Sequence, residues 1–332
     1  MDIPGLVDLQ VNGYGGVDFS GEGLRSDDFA DACRRLLNSG TSAFLPTVIT
    51  SADEVYRQNL PILADAIERP EFRGRLLGVH IEGPFISPCD GARGAHTAAW
   101  VRPPDTDYLD TLIEWSRGTI KLITIAAELD GAAELARHAV SRGITVSLGH
   151  QMAGYEAVDE LARAGATALT HLGNGAPATT PRHDNPIWAG LANDGLTAML
   201  ITDGHHLPAH LIKTFARVKG ASRLIVTSDA APLAGLPPGR YRTLGNDVVL
   251  DETGKLYNPH TGFLVGSSST MIQCMNYLAS LDLLSPADLI EVGYFNPLRL
   301  IGVDPQSVRS VANLSFDANT RKFVIEEGRN RL

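Results

Sequence analysis

Cysteine is scarce in this chain, and the three present, Cys33, Cys89 and Cys274, lie far apart. An odd, dispersed set excludes a disulfide framework and a Cys-x-x-Cys zinc site, and a reducing, cytoplasmic setting is expected. Positive charge is also in short supply: 28 Lys and Arg stand against 38 Asp and Glu, a formal net charge of −10, with no basic run. Nucleic-acid grooves and anionic membrane surfaces need clustered positive charge, so neither is an expected partner. A small anion is still admissible where a local arginine or histidine holds it. Long apolar runs are missing too. None approaches the roughly 18 residues that span a bilayer, and the first residues show no basic stretch followed by an apolar one. Internal repeats and low-complexity segments are absent.

What is there reads as a globular α/β chain, with 44% hydrophobic residues among 332 and 33 glycines for tight turns. Short apolar runs predict strands near 5–12, 42–49, 76–82, 119–126, 144–150, 167–172, 197–203 and 223–229. Between them, helical spacing predicts helices near 27–39, 52–68, 105–116, 131–142, 154–164 and 208–218. Ser51 is the expected N-cap of the second helix, with Glu54 completing a capping box. Segment 173–196, with Pro177, Pro181 and Pro186, reads as a long functional loop with a short helix near its end. Eight such units over about 230 residues match a (β/α)8 TIM-like barrel. An open doubly wound sheet would need GxGxxG after the first strand, which Gly13-Tyr14-Gly15-Gly16 does not supply. Beyond the eighth strand, 239–260 predicts a hairpin turning at Glu252-Thr253-Gly254, then helices near 267–283 and 286–292. Strands near 311–316 and 322–326 follow. The expected division is a barrel with its late helices over 1–300 and a small, truncated β appendage over 301–332.

Polar residues in otherwise apolar strands gather at the carboxyl ends: Gln10 and Asn12, Glu82, His150, His171, Asp203 with His206, and Asp229. In a barrel these positions share one face, where active sites of this fold are built. Glu82, His150 and His171 supply one carboxylate and two imidazoles, a set that suits Zn²⁺, with Fe²⁺, Co²⁺ or Mn²⁺ as other divalent candidates. His80, two residues before Glu82 and on the same strand face, is expected to support the ligands from beneath. Gly266 to Ser269 is expected to cap the following helix and shape the site wall.

The blocks HIEGPFISP (80–88), GAH (94–96), SLGH (147–150), THLGNGAP (170–177), ITDGHH (201–206), VTSDA (226–230), GSSSTM (266–271) and NPLRLIG (296–302) resemble, in order, the N-acetylglucosamine-6-phosphate deacetylase family of the amidohydrolase superfamily. The likeness covers nearly the whole chain. It implies that Glu82, His150 and His171 bind one divalent metal, that Asp229 is the catalytic acid and base, and that His96 contacts the acyl group. It further implies that Asn174, Gly175, Arg182 and His206 hold the sugar phosphate, with Gln10 also on the substrate, and that the protein is a homodimer in which Arg182 reaches the neighbouring site. A planar guanidinium fork suits a phosphate; pairing of Arg182 with Asp184 is the plainer alternative.

Two departures from the family pattern stand out. Many amidohydrolases carry His-x-His at the end of the first strand, whereas this chain has Gln10-Val11-Asn12, and amides are poor ligands beside imidazoles. One metal is therefore expected, not two. Relatives also have strands ahead of the barrel that build a small sandwich with the tail, so a partial sandwich is expected here. The implied activity is hydrolysis of the N-acetyl group of an amino sugar 6-phosphate. A related amidohydrolase for another N-acyl sugar or amine, and a sugar-phosphate-binding protein without turnover, are the alternatives.

Overall fold

The computed structural model describes residues 3–309 and 314–325. Eight parallel strands form one sheet: β1 (Val7–Val11), β2 (Ala43–Ile49), β3 (Val79–Glu82), β4 (Ile120–Ile125), β5 (Thr145–Leu148), β6 (Ala166–Leu169), β7 (Thr197–Ile201) and β8 (Leu224–Thr227). Each is followed by a helix: α1 (Ser26–Asn38), α2 (Asp53–Glu68), α3 (Thr106–Trp115), α4 (Ala132–Ser141), α5 (Tyr155–Arg163), α6 (Pro186–Ala192), α7 (Ala209–Lys219) and α8 (Met271–Ser280). All seven residues of β2 are buried because one strand face meets the barrel interior and the other meets helices. Alternation sorts the two: Val7, Leu9, Ala43, Leu45, Leu122, Met199 and Ile225 fill the interior, while Phe44 and Val48 join the helix-facing core, as does Val11 beyond an irregularity in the β1 register.

The sheet is laddered from β1 round to β8, and the seam between these two is closed by other means. Asn12 donates its backbone N–H to the Ala230 carbonyl at 2.8 Å. Within β1, the buried Asp8 carboxylate accepts from Thr227 Oγ1 at 2.7 Å and from the Ser228 backbone N–H at 3.1 Å. Burial pushes the Asp8 carboxyl upward, and these donors oppose that. The far end of the barrel is plugged. A helix runs from Pro286–Ile290 through a π turn, Glu291–Phe295, to Asn296–Leu300, and its Tyr294 and Leu298 pack on the interior cluster with Ile301. Asn296 Nδ2 anchors it to the carbonyls of Ala221 and Leu224 at 2.7 and 2.8 Å.

Several local expectations are corrected. Ser51 does not cap α2: its hydroxyl turns back to the Ile49 carbonyl at 2.9 Å, and Ala52 occupies the cap position without a side-chain bond. Helix α8 starts at Met271, capped by Thr270 with Gln273, four residues later than predicted. Segment 239–260 holds two turns: β9 (Gly239–Thr243) and β10 (Asn246–Leu250) pair across Leu244-Gly245, and 251–255 leads on to β11 (Leu256–Tyr257). The tail hairpin is β12 (Leu314–Asp317) with β13 (Lys322–Ile325); 311–313, the predicted start of its first strand, lies outside the described residues. Its Leu314, Phe316 and Phe323 enter the core shared by barrel and helices, and the Phe323 N–H donates to Asn276 Oδ1 of α8 at 2.7 Å.

Candidate active site

Glu82 ends β3, whereas His150, His171, Asp203 and Asp229 each stand two residues past the end of their strand. Three of them take left-handed backbone, with φ of 52° at His150, 29° at His171 and 51° at Asp229. Non-glycine residues avoid this region unless their surroundings impose it, and such residues gather at functional sites. The reversal brings all three side chains into one cavity of about 210 Å³, shared with Asn12, Glu82, His96, Asn174, Gly175 and His206. Gly175 permits the approach: a Cβ there would lie 3.1 Å from His150 Nδ1 and 3.1 Å from His171 Cε1.

At the cavity floor, Glu82 Oε1 lies 3.1 Å from His150 Nε2 and 3.0 Å from His171 Nε2, and the two imidazole nitrogens are 3.1 Å apart. Donors about 2.0–2.1 Å from a tetrahedral Zn²⁺ are separated by about 3.3 Å, so the triangle fits such an ion. Among the described residues, these three form the one cluster of this kind. His150 Nδ1 bonds the Ala92 carbonyl at 2.9 Å, which leaves its Nε2 lone pair directed at the cluster. Burial would raise the Glu82 carboxyl, but its contacts with His150 and His171 outweigh that and hold it well below the ordinary range. His171 is pushed down by burial.

Asp229 accepts from Asn12 Nδ2 at 2.7 Å. Burial first, and then the Glu82 charge, hold its carboxyl well above the usual range. His96 is buried, with Nδ1 2.8 Å from Thr50 Oγ1 and its ring edge-on to that of His150, the centroids 4.3 Å apart. Burial and His150 press its pKa down to about 3. His206 Nδ1 donates to Asp203 Oδ2 at 2.8 Å, and Ser267 Oγ donates to the same oxygen at 2.7 Å.

Two residues stand elsewhere than expected. Gln10, assigned to substrate, is fully buried, and its Nε2 donates to Glu82 Oε1 at 2.8 Å. His80 hydrogen-bonds none of the three clustered side chains. Its Nδ1 meets the Leu9 carbonyl at 3.1 Å and its Nε2 meets Thr124 Oγ1 at 2.8 Å, so it braces β1 and β4, neutral with a pKa pressed to about 4 by burial. Gln10 thus has the supporting contact foreseen for His80. Arg182 is exposed and outside the cavity lining, and Asp184 bonds the Tyr155 N–H instead of Arg182. Asp8, Thr50 and the cavity-lining Leu244 do not stand out as site residues in the sequence. Only Asp8, a carboxylate inside an apolar strand, carried a signal that could have found it.

No family model matches the chain. A curated N-acetylglucosamine-6-phosphate deacetylase of Bos taurus is 34% identical over 340 residues, covering 98% of this chain and 79% of that protein. The chain belongs to the N-acetylglucosamine-6-phosphate deacetylase family. An N-acetylgalactosamine-6-phosphate deacetylase of Escherichia coli O157:H7 is 30% identical, across 91% of this chain and 78% of that one. Among solved structures, a mutant N-acetyl-D-glucosamine-6-phosphate deacetylase of Mycobacterium smegmatis in complex with N-acetyl-D-glucosamine-6-phosphate superposes with a TM-score of 0.86. It is 25% identical and covers 97% of this chain and 84% of that one. The barrel and small antiparallel sheets of this deacetylase are thus those of its relatives, and no helix among its described residues is long and apolar enough to cross a membrane.

Proposed function

We propose that this deacetylase hydrolyses the N-acetyl group of N-acetylglucosamine 6-phosphate, releasing acetate and the amino sugar phosphate. The observation that carries this reading is the cluster of Glu82, His150 and His171 in the same cavity as a carboxylate, Asp229, that is held by one oxygen only. Glu82, His150 and His171 would hold one divalent ion, Zn²⁺ by its preference for this donor set. Such an ion supplies Lewis acidity and lowers the pKa of a water from about 16 to about 7. Gln10 and Asn12 stand where His-x-His would place a second ion's ligands, and both amides donate to site carboxylates, an arrangement that favours one ion.

Asp229 accepts the proton of the attacking water. With Oδ1 fixed by Asn12, its other oxygen faces the cavity, and a carboxyl that is ready to be protonated then delivers the proton to the departing amine. An amine leaves poorly unless protonated, so one group serving as base and then acid meets both needs. His96 orients the acyl carbonyl and, where its Nε2 bears the proton, stabilises negative charge on that oxygen. Asn174, Gly175 and His206 line the cavity and would take the sugar phosphate, and Arg182, exposed and outside its own cavity, would serve the second subunit of a homodimer.

Acetate release from N-acetylglucosamine, N-acetylgalactosamine and their 6-phosphates, with and without added Zn²⁺, tests the reading. The glucosamine 6-phosphate with metal is expected to turn over fastest, and metal analysis is expected to give one equivalent per chain. Equal rates on the unphosphorylated sugars would rule out the phosphate assignment.

A further inference from the structure

The turn joining β9 and β10 is unusual for its residues. Leu244 and Gly245 have φ of 49° and 74°. A two-residue hairpin loop with both angles positive favours Asn-Gly or Asp-Gly, and leucine is disfavoured there. The surroundings hold it in place. The Leu244 backbone N–H bonds the Asp18 carboxylate. Asn246 Nδ2 bridges the Leu244 carbonyl at 2.8 Å and the Ala95 carbonyl at 3.1 Å, beside His96. Gly245 comes so near that a Cβ would lie 3.3 Å from Thr97 Oγ1. The leucine side chain held this way lines the catalytic cavity.

The Asn246 bond to Ala95 and the approach of Gly245 to Thr97 set Leu244 beside the loop after β3. Ile49 and Glu82 end β2 and β3, with His96 and Ala95 in the loop that follows; Asn174, Gly175 and His206 follow β6 and β7, across the barrel. Resting on the reaction reading above, the scissile carbonyl must sit at the cluster between them. Its nitrogen carries the sugar toward β6 and β7, so its acyl tail points the other way, toward Ile49, Ala95 and Leu244. We propose that Leu244 is a specificity-determining residue whose side chain closes the acyl end of the site and restricts the substrate to an acyl group of about acetyl size. A strained backbone at a cavity wall is then explained by what its side chain excludes.

The test compares kcat/KM on N-acetyl-, N-propionyl- and N-butyrylglucosamine 6-phosphate for the unaltered enzyme and for Leu244→Gly. Glycine suits the positive φ, so the turn should persist, as thermal unfolding will show; Leu244→Asn, also tolerated there, provides a second variant. A methylene is worth about 10- to 200-fold in a fitted apolar pocket. Leu244→Gly is therefore expected to raise the butyryl-to-acetyl ratio at least about tenfold. The same shift should appear in binding of the three compounds to Asp229→Asn protein with and without Leu244→Gly. A ratio that stays within threefold in both variants while acetyl turnover persists overturns the assignment of Leu244 alone. No turnover of any of the three by the unaltered enzyme overturns the reaction reading and this inference with it.

Discussion

Thr50 has one hydroxyl proton and two neighbours that could accept it, His96 Nδ1 at 2.8 Å and the Glu82 carbonyl at 3.3 Å. The shorter contact favours donation to the imidazole, and that leaves the His96 proton on Nε2, where it can meet charge developing on the acyl oxygen. Thr50→Val removes the donor and should lower kcat about 10- to 100-fold, the usual cost of losing such an orienting partner, with a smaller change in KM. Thr50→Ser should restore it; an unaltered kcat in the valine variant would remove Nε2–H donation from the mechanism. Asp229→Asn keeps size and the Asn12 contact partner but cannot shuttle a proton. It is expected to retain its metal equivalent and lose at least about 10²-fold in kcat. Metal loss in that variant would instead make Asp229 a ligand.

Between elements, Asp203 ties the end of β7 to the segment before α8. Its carboxylate takes the His206 ring, the backbone N–H groups of His205 and His206, and Ser267. Burial works against the charge, yet the His206 contacts and these N–H groups prevail, and the folded carboxyl lies below its ordinary value. A depressed carboxyl contributes stability above its unfolded pKa of about 4 and loses it as pH falls through the folded value. Metal-free Asp203→Asn should therefore unfold several degrees below the unaltered protein near pH 7, a gap that narrows below about pH 4. A gap that is constant down to pH 3.5 would contradict the linkage.

Elements of this size were legible where their chemistry is local. The eight strands announce themselves as short apolar runs, and Glu82, His150, His171 and Asp229 as polar exceptions at their ends. Less visible were features that depend on distant partners. Ser51 looks like a cap until the Ile49 carbonyl takes its hydroxyl, Leu-Gly is not a turn dipeptide until Asp18 and Asn246 hold it, and Gln10 meets Glu82 across 72 positions.

For the molecule as a whole, the plug of Tyr294, Leu298 and Ile301 closes one barrel end, and among the described residues the cavity that holds the cluster is lined at the loop face. Arg182 stands on that face, exposed, and the service to a second subunit proposed above can be tested by complementation. Arg182→Ala should raise KM about tenfold or more for the phosphorylated substrate, in line with the loss of a charged hydrogen bond. Mixed with inactive Asp229→Asn under conditions of subunit exchange, it should recover activity, because each mixed dimer then holds one intact Asp229 facing one intact Arg182. Absence of recovery would confine Arg182 to its own subunit.

The closure of the barrel by Asp8 has a bearing on synthesis. Thr227 leaves the ribosome 219 positions after Asp8. At about 5–20 residues per second, the carboxylate waits on the order of ten to forty seconds for its partners. During that interval it stays hydrated and charged, which with Gln10 keeps the nascent strand Val7–Val11 soluble and makes sealing of the seam wait for β8.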